Sequence, residues 1–164
     1  MIPRCPRAFT LLDLMLTIAI LAIISVVAAP SLRPNDSLKL ISAATILAAD
    51  LEYAQSATLE HPADPTVVRI DAEKKTYWLA RASDPESPIN RPDGSPYEVV
   101  FGAGANNYLA GIGLSAKELP ASAVTFDAFG RLTHPDDAIL TITSPSGDLN
   151  VRVVSATGSV YIGK

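Results

Sequence analysis

The side chains able to do acid–base chemistry near neutral pH are two histidines, His61 and His134, and each is followed by proline in a stretch that reads as a loop. Neither stands in a pattern that supplies a nucleophile and an orienting acid, so the expectation is a chain with no catalytic residue. Oxygen ligands for a hard cation are available at Asp136 and Asp137, and at Asp84, Glu86 and Asp93, but their spacing is unlike a calcium-binding loop. They read as solvated turn acids, with no metal and no cofactor expected. Gly102-Ala103-Gly104 is not followed by the Gly-Lys-Ser/Thr that a phosphate cradle requires, and reads as a flexible turn. Tyr77 and Trp78 are adjacent in a strand, where alternation turns one inward as core and leaves the other half exposed. One acid is harder to place. Asp13 lies near the start of "LLDLMLTIAILAIISVVA", a run otherwise devoid of charge.

The element that carries Asp13 sets its chemistry. Residues 14–32 are 19 uncharged positions, about 28 Å as a helix, close to the roughly 30 Å of a bilayer core. Arg4 and Arg7 precede the run with no acid between them, which places the N-terminus in the cytoplasm and sends the rest outward. A cleaved signal peptide fits less well: the cut after Val27-Ala28-Ala29 would put Pro30 directly behind it, and the apolar run exceeds a typical h-region of about 7–15 residues. Cys5, the single thiol, forms no intramolecular disulfide, and with four residues ahead of it lacks the preceding apolar stretch that lipid attachment needs. Net charge is −4, an unfavourable balance for broad binding of nucleic acid.

"RAFTLLDLMLTIAILAII" resembles the processing signal of type IV prepilins and type II secretion pseudopilins: a short basic leader, a small residue, then Phe, Thr, Leu, an apolar residue, an acid and a long apolar run. The resemblance implies that a prepilin peptidase cuts between Ala8 and Phe9 and methylates the new amine of Phe9. It departs from the pattern twice, with Ala8 where glycine is usual and Asp13 where glutamate is usual. An ionised group at membrane depth costs a few kcal/mol and is normally paired or functional. The resemblance supplies the counter-ion: Asp13 of one subunit pairs with the Phe9 amine of its neighbour as subunits leave the bilayer.

Pro30 interrupts or kinks the helix and Pro34 repeats the signal, after which Asn35, Asp36 and Ser37 are candidate caps for a restart. Leu40, Ala44, Leu47, Leu51, Ala54 and Thr58 then recur at spacings of four and three, one apolar face of a helix that ends at His61-Pro62. Lys39, Asp50, Glu52 and Glu60 are read as its polar contrast. Beyond it, "TVVRID", "KKTYWLARA", "YEVVFG", "AVTFDAFG", "AILTITSPSG" and "LNVRVVSATGSVYIG" read as strands. A tight Ala72-Glu73 turn joins the first two, residues 84–96, with four prolines, form a long exposed connection, and Ser146-Gly147-Asp148 and Thr157-Gly158-Ser159 are hairpin turns. "ILAADLEYAQSAT", "VTFDAFGRL" and the terminal Ala-Thr-Gly hairpin are similar to the H-type minor pseudopilins and T-type minor fimbrial pilins.

The expected fold is α+β: a long N-terminal helix, its first half transmembrane and its second amphipathic, packed on an antiparallel β-sandwich head. The divisions are a leader at 1–8, a membrane and filament-core helix at 9–32, an amphipathic helix at 33–61 and a periplasmic head at 62–164. The resemblance implies a structural minor pilin or pseudopilin held once through the inner membrane, with the peptidase, other pilin subunits and a possible secreted cargo as partners. A tethered periplasmic binding module, and a minor pilin used in adhesion or DNA uptake, are the alternatives; Arg152 and Lys164 are a weak case for DNA.

Overall fold

The computed structural model describes residues 11–28, 36–117 and 119–163. They fall into two compact units, the first within residues 1–35 and the second running from Asp36 to the end. Ala8, Phe9, Pro30 and Lys164 lie outside the described residues.

The first unit contributes helix α1 (Leu11–Ala28). Its 18 residues rise about 27 Å, and among the described residues no helix is long and apolar enough by itself to cross a membrane. The stretch 14–32 read as a span extends past the described part of α1.

The second unit begins with α2 (Asp36–Glu60). All six stripe residues, Leu40 through Thr58, are buried, and Ala43, Ala48 and Ala57 join them, small side chains that let the helix lie close to the strands. Thr58 fastens the end: its hydroxyl donates to the Ala54 carbonyl at 2.9 Å and accepts the Thr66 N–H at 3.0 Å, coupling the last helical turn to the first strand.

Among the described residues nine strands follow: β1 (Thr66–Asp71), β2 (Thr76–Arg81), β3 (Asp84–Pro88), β4 (Glu98–Val100), β5 (Gly113–Lys117), β6 (Ala123–Thr125), β7 (Ala138–Ser144), β8 (Gly147–Val153) and β9 (Val160–Gly163). They form two antiparallel sheets. One runs β3-β2-β1-β6, with β4 also on β2; the other runs β5-β7-β8-β9. Both sheets and α2 close on one core, in which Val68, Ile70, Tyr77 and Leu79 from the first sheet meet Leu114, Leu140, Ile142, Val151 and Val153 from the second.

Four local expectations are corrected. Residues 84–96 are not a free connection: β3 pairs with β2 through a register shift at Ala80/Arg81, and the chain then doubles back so that Asn90 bridges Pro96. Pro85 and Pro88 are tolerated because β3 lies at a sheet edge, where a missing N–H breaks no ladder. The β1–β2 connection has four residues, not two, because Lys75 takes a positive φ of 54° and the Asp71 carboxylate accepts the Lys74 N–H at 3.0 Å. β5 was not anticipated, its only large apolar residue being Leu114 among Gly, Ser and Ala. The β7–β8 turn sits one position early, since Ser144 pairs directly with Gly147. By contrast Tyr77 is fully buried and Trp78 half-buried, as alternation requires.

Candidate functional site

In α1 Asp13 occupies the first helical turn, the stabilising end for an anion in a helix macrodipole, and is the only charged residue in the element. Ten large apolar side chains, from Leu11 to Ile24, are each 47–76% exposed and cover every side of the helix. An apolar surface on all sides belongs in lipid or among other helices, not in water. The few hydroxyls fit the same medium. Thr17 donates to the Leu14 carbonyl at 2.8 Å and Ser25 to the Leu21 carbonyl at 2.7 Å, so neither needs an outside partner.

The head is built around a second acid. Asp50, read as solvent-facing contrast, is buried at 9% exposure. Its Oδ2 accepts the Tyr77 hydroxyl at 2.6 Å and its Oδ1 the Tyr97 hydroxyl at 2.8 Å. Each phenol comes from a different strand region; Tyr97 stacks on Tyr53 at 5.4 Å, and the Arg91 guanidinium also lies over its ring, 4.5 Å from the centroid. Burial pushes the Asp50 carboxyl above its ordinary 3.8, opposed by the two phenol hydrogen bonds and the Arg91 charge. Burial, reinforced by that carboxylate, drives the Tyr77 hydroxyl well above 10. The cluster ties α2 to the first sheet.

It also makes a testable contribution to stability. Asp50→Ala leaves the buried Tyr77 hydroxyl without an acceptor and opens a cavity, and is expected to cost about 2–4 kcal/mol in chemical denaturation. Asp50→Asn isolates the charge. The native state holds the Asp50 proton more tightly than the unfolded chain, so this group's contribution is largest at low pH. It declines as pH climbs from just below 4 through the raised value, then levels. That slope is expected to disappear from the difference between Asp50→Asn and the parent.

A second cluster joins three segments distant in the chain. Gln55 Nε2 donates to the Gly130 carbonyl at 2.7 Å and to the Thr157 carbonyl at 3.2 Å, clamping the 127–131 turn and the β8–β9 turn onto the end of α2. Gly158, with φ of 69°, lies against Gly130 so closely that a Cβ would stand 1.9 Å from the Gly130 oxygen. The helix, the Phe-Asp strand-turn and the terminal hairpin, the pieces on which the second resemblance rested, therefore meet at one place. Sequence reading singled out the segments but not the residues that join them.

The remaining candidates are dispersed. His61 is exposed and His134 half-buried, and His134 Nδ1 accepts the Asp136 backbone N–H at 3.2 Å. Asp93 caps its own turn by accepting the Ser95 hydroxyl at 2.6 Å, and Glu86 pairs with Arg69 at 2.7 Å. No group of three metal-ligating side chains converges among the described residues. Gly102-Ala103-Gly104 forms a turn, as expected, that leads into a short 3-10 segment (Gly104–Leu109). Arg152 is neutralised by Asp137, its Nε 2.7 Å from Oδ2.

No protein-family model matches the sequence, and no curated protein matches it. The solved structures are more informative. The chain is similar to the type IV minor pilin FimU of Pseudomonas aeruginosa, at TM-score 0.55 and 20% identity over 78% of this chain and 90% of that one. The fold is a pilin fold. A further likeness is to the minor pseudopilin EpsH of the Type 2 Secretion System of Vibrio cholerae, at TM-score 0.55 and 16% identity over 76% of this chain and 96% of that one. The helix-on-antiparallel-sheet head of this pilin fold thus resembles a pilus subunit and a secretion pseudopilin to the same degree, and the H-type subfamily is not singled out.

Proposed function

We propose that the chain is a structural minor pilin or pseudopilin, processed by a prepilin peptidase and assembled into a pilus-like filament. The observation that carries this reading is α1: an all-round apolar helix with a single acid in its first turn, in a chain whose second unit has the pilin fold. Cleavage between Ala8 and Phe9 creates a cationic, methylated amine four residues before Asp13. Before assembly residues 9–32 hold the subunit once through the inner membrane, N-terminus in the cytoplasm and head in the periplasm. In the filament the same surface packs against neighbouring helices, driven by its removal from other environments into a close-packed core, and Pro30 bends the chain between the two.

No reacting group is needed for this work. Its partners are other pilin subunits and the peptidase; protein export through a type II secretion filament and assembly into a type IV pilus both fit, with secreted cargo meeting the head. Nucleic acid is disfavoured by the net charge of −4 and by the pairing of Arg152. Mass spectrometry of the chain expressed with its cognate peptidase tests the reading. The expected product starts at Phe9, carries one methyl group on its amine and retains α1. A product that starts at Met1, or at Pro30, would overturn it.

A further inference from the structure

A row of core side chains in the second sheet runs off its edge. Directly paired residues on neighbouring strands share a face, so Leu140, Val151 and Ile162 form one inward row across β7, β8 and β9. Leu140 and Val151 are fully buried, yet Ile162, the last of the three, is 44% exposed. The row is apolar to its end and open there. At the opposite edge of the same sheet β5 is finished, its inward Leu114 being only 4% exposed. On the outer face of β9, Tyr161 is 60% exposed. One edge strand thus leaves a large apolar side chain uncovered on each of its faces.

The backbone of that strand is open as well. Among the described residues β9 has a single neighbour, β8. The Val154 N–H donates to the Ser159 carbonyl at 2.9 Å, so alternation along the ladder makes Arg152–Tyr161 and Asn150–Gly163 the hydrogen-bonded pairs. The N–H and C=O groups of Val160 and Ile162 therefore point away from β8. No turn or loop hydrogen bond among the described residues uses them. Folded chains blunt such edges with proline, charge or shortness. β3 carries Pro85 and Pro88 with Asp84 and Glu86, β6 is three residues long, and β5 ends on Lys117. Val160–Gly163 has neither proline nor charge.

We propose that β9 is a docking edge, along which an extended segment of a different filament subunit adds as a further strand. Its backbone pairs with the outward groups of Val160 and Ile162; on the inward face an apolar side chain completes the row beyond Ile162, and on the outer face its neighbour lies beside Tyr161. The ladder sets the occupant. A helix satisfies its own backbone, whereas an extended segment brings the matching N–H and C=O groups, with alternate side chains supplying specificity. The inference rests on the filament reading, which makes other pilin subunits the partners, and adds the surface by which the head meets one of them.

Photocrosslinking in cells that assemble the filament, using the full-length chain with its peptidase, tests it. A benzophenone side chain in place of Tyr161 is expected to join the head to a different pilin-type subunit, identified by mass spectrometry of the adduct. The same group in place of Leu16 reports contact between α1 helices. Ile162→Pro removes an outward N–H and no β8–β9 hydrogen bond, so it is expected to cut the Tyr161-site adduct about tenfold or more while the melting temperature of the head stays unchanged. Ile162→Lys, a charge at the open end of the row on a side chain already half exposed, is expected to give the same loss and serves if the proline variant does not fold. An adduct that persists undiminished in the variants would show that the contact is not strand pairing, and an adduct with a second copy of this chain would also overturn the proposal. If the Leu16 site cross-links while the Tyr161 site yields no pilin-type partner, the docking fails and the filament reading stands. If neither site cross-links, both fail.

Discussion

Replacing Gly158 by alanine is expected to destabilise the head by about 3 kcal/mol or more, lowering its melting temperature by roughly 10 °C for a unit of this size. Two effects act together. The backbone φ of 69° lies in the left-handed region, where a β-carbon costs roughly 1–2 kcal/mol. That cost alone would be tolerable. The added Cβ would also stand 1.9 Å from the Gly130 carbonyl oxygen and 2.3 Å from Gln55 Nε2, and the first of these is backbone that cannot swing away. Relief requires the β8–β9 turn to lift off the 127–131 turn, which breaks the Gln55 clamp on both. Gln55→Ala separates the contributions: it removes the clamp without the clash or the strain, and is expected to cost only about 1–2 kcal/mol. Gly94, also at positive φ, has open space around its Cβ position. Gly94→Ala is therefore expected to show the conformational cost alone, and a thermal melt of the three variants reads the difference.

The contrast between these glycines marks what a sequence can and cannot disclose about this head. The stripe Leu40 to Thr58 was legible because burial on a helix repeats with its period, and a missed alanine or two changes nothing. Asp50 was misread because its type outweighed its position. It lies three residues after Leu47 and four before Ala54, on the apolar face by spacing, and an acid at such a place signals a buried hydroxyl partner. Tyr77, the one of the Tyr77–Trp78 pair that the fold turns inward, supplies it. β3 and β5 escaped detection for a related reason: edge strands bury little, so β3 could be written in Asp, Pro, Glu and Ser and β5 mostly in small residues. Their pairing is imposed by neighbours: at Gly113 a Cβ would stand 2.3 Å from Thr143 Oγ1, so a larger residue there would force that hydroxyl to rotate. Gln55 reads as an unremarkable surface residue until the fold brings Gly130 and Thr157 beneath it. Local signals recover elements; contacts between distant turns carry no periodicity.

Asp13→Ala is expected to leave membrane insertion and processing intact while abolishing incorporation into filaments, a loss of tenfold or more in filament-associated protein. Removing a charge from α1 can only ease its entry into lipid, since an ionised side chain there costs a few kcal/mol. Any defect must therefore arise after insertion. In the proposed filament the Phe9 amine of a neighbour is brought out of water with no other described acid on α1 to meet it. An unpaired buried charge of that kind costs about 3–5 kcal/mol, far more than the alanine gains. Asp13→Glu restores the charge with a longer reach and is expected to recover incorporation, whereas Asp13→Asn keeps the size without the charge and is expected to fail like alanine. The ordering Asp, Glu, then Asn and Ala belongs to ion pairing; a purely steric role would place Asn beside Asp. Fractionation of membranes and sheared filaments, probed for the head, measures both arms, and normal incorporation of the alanine variant would remove the pairing from the account.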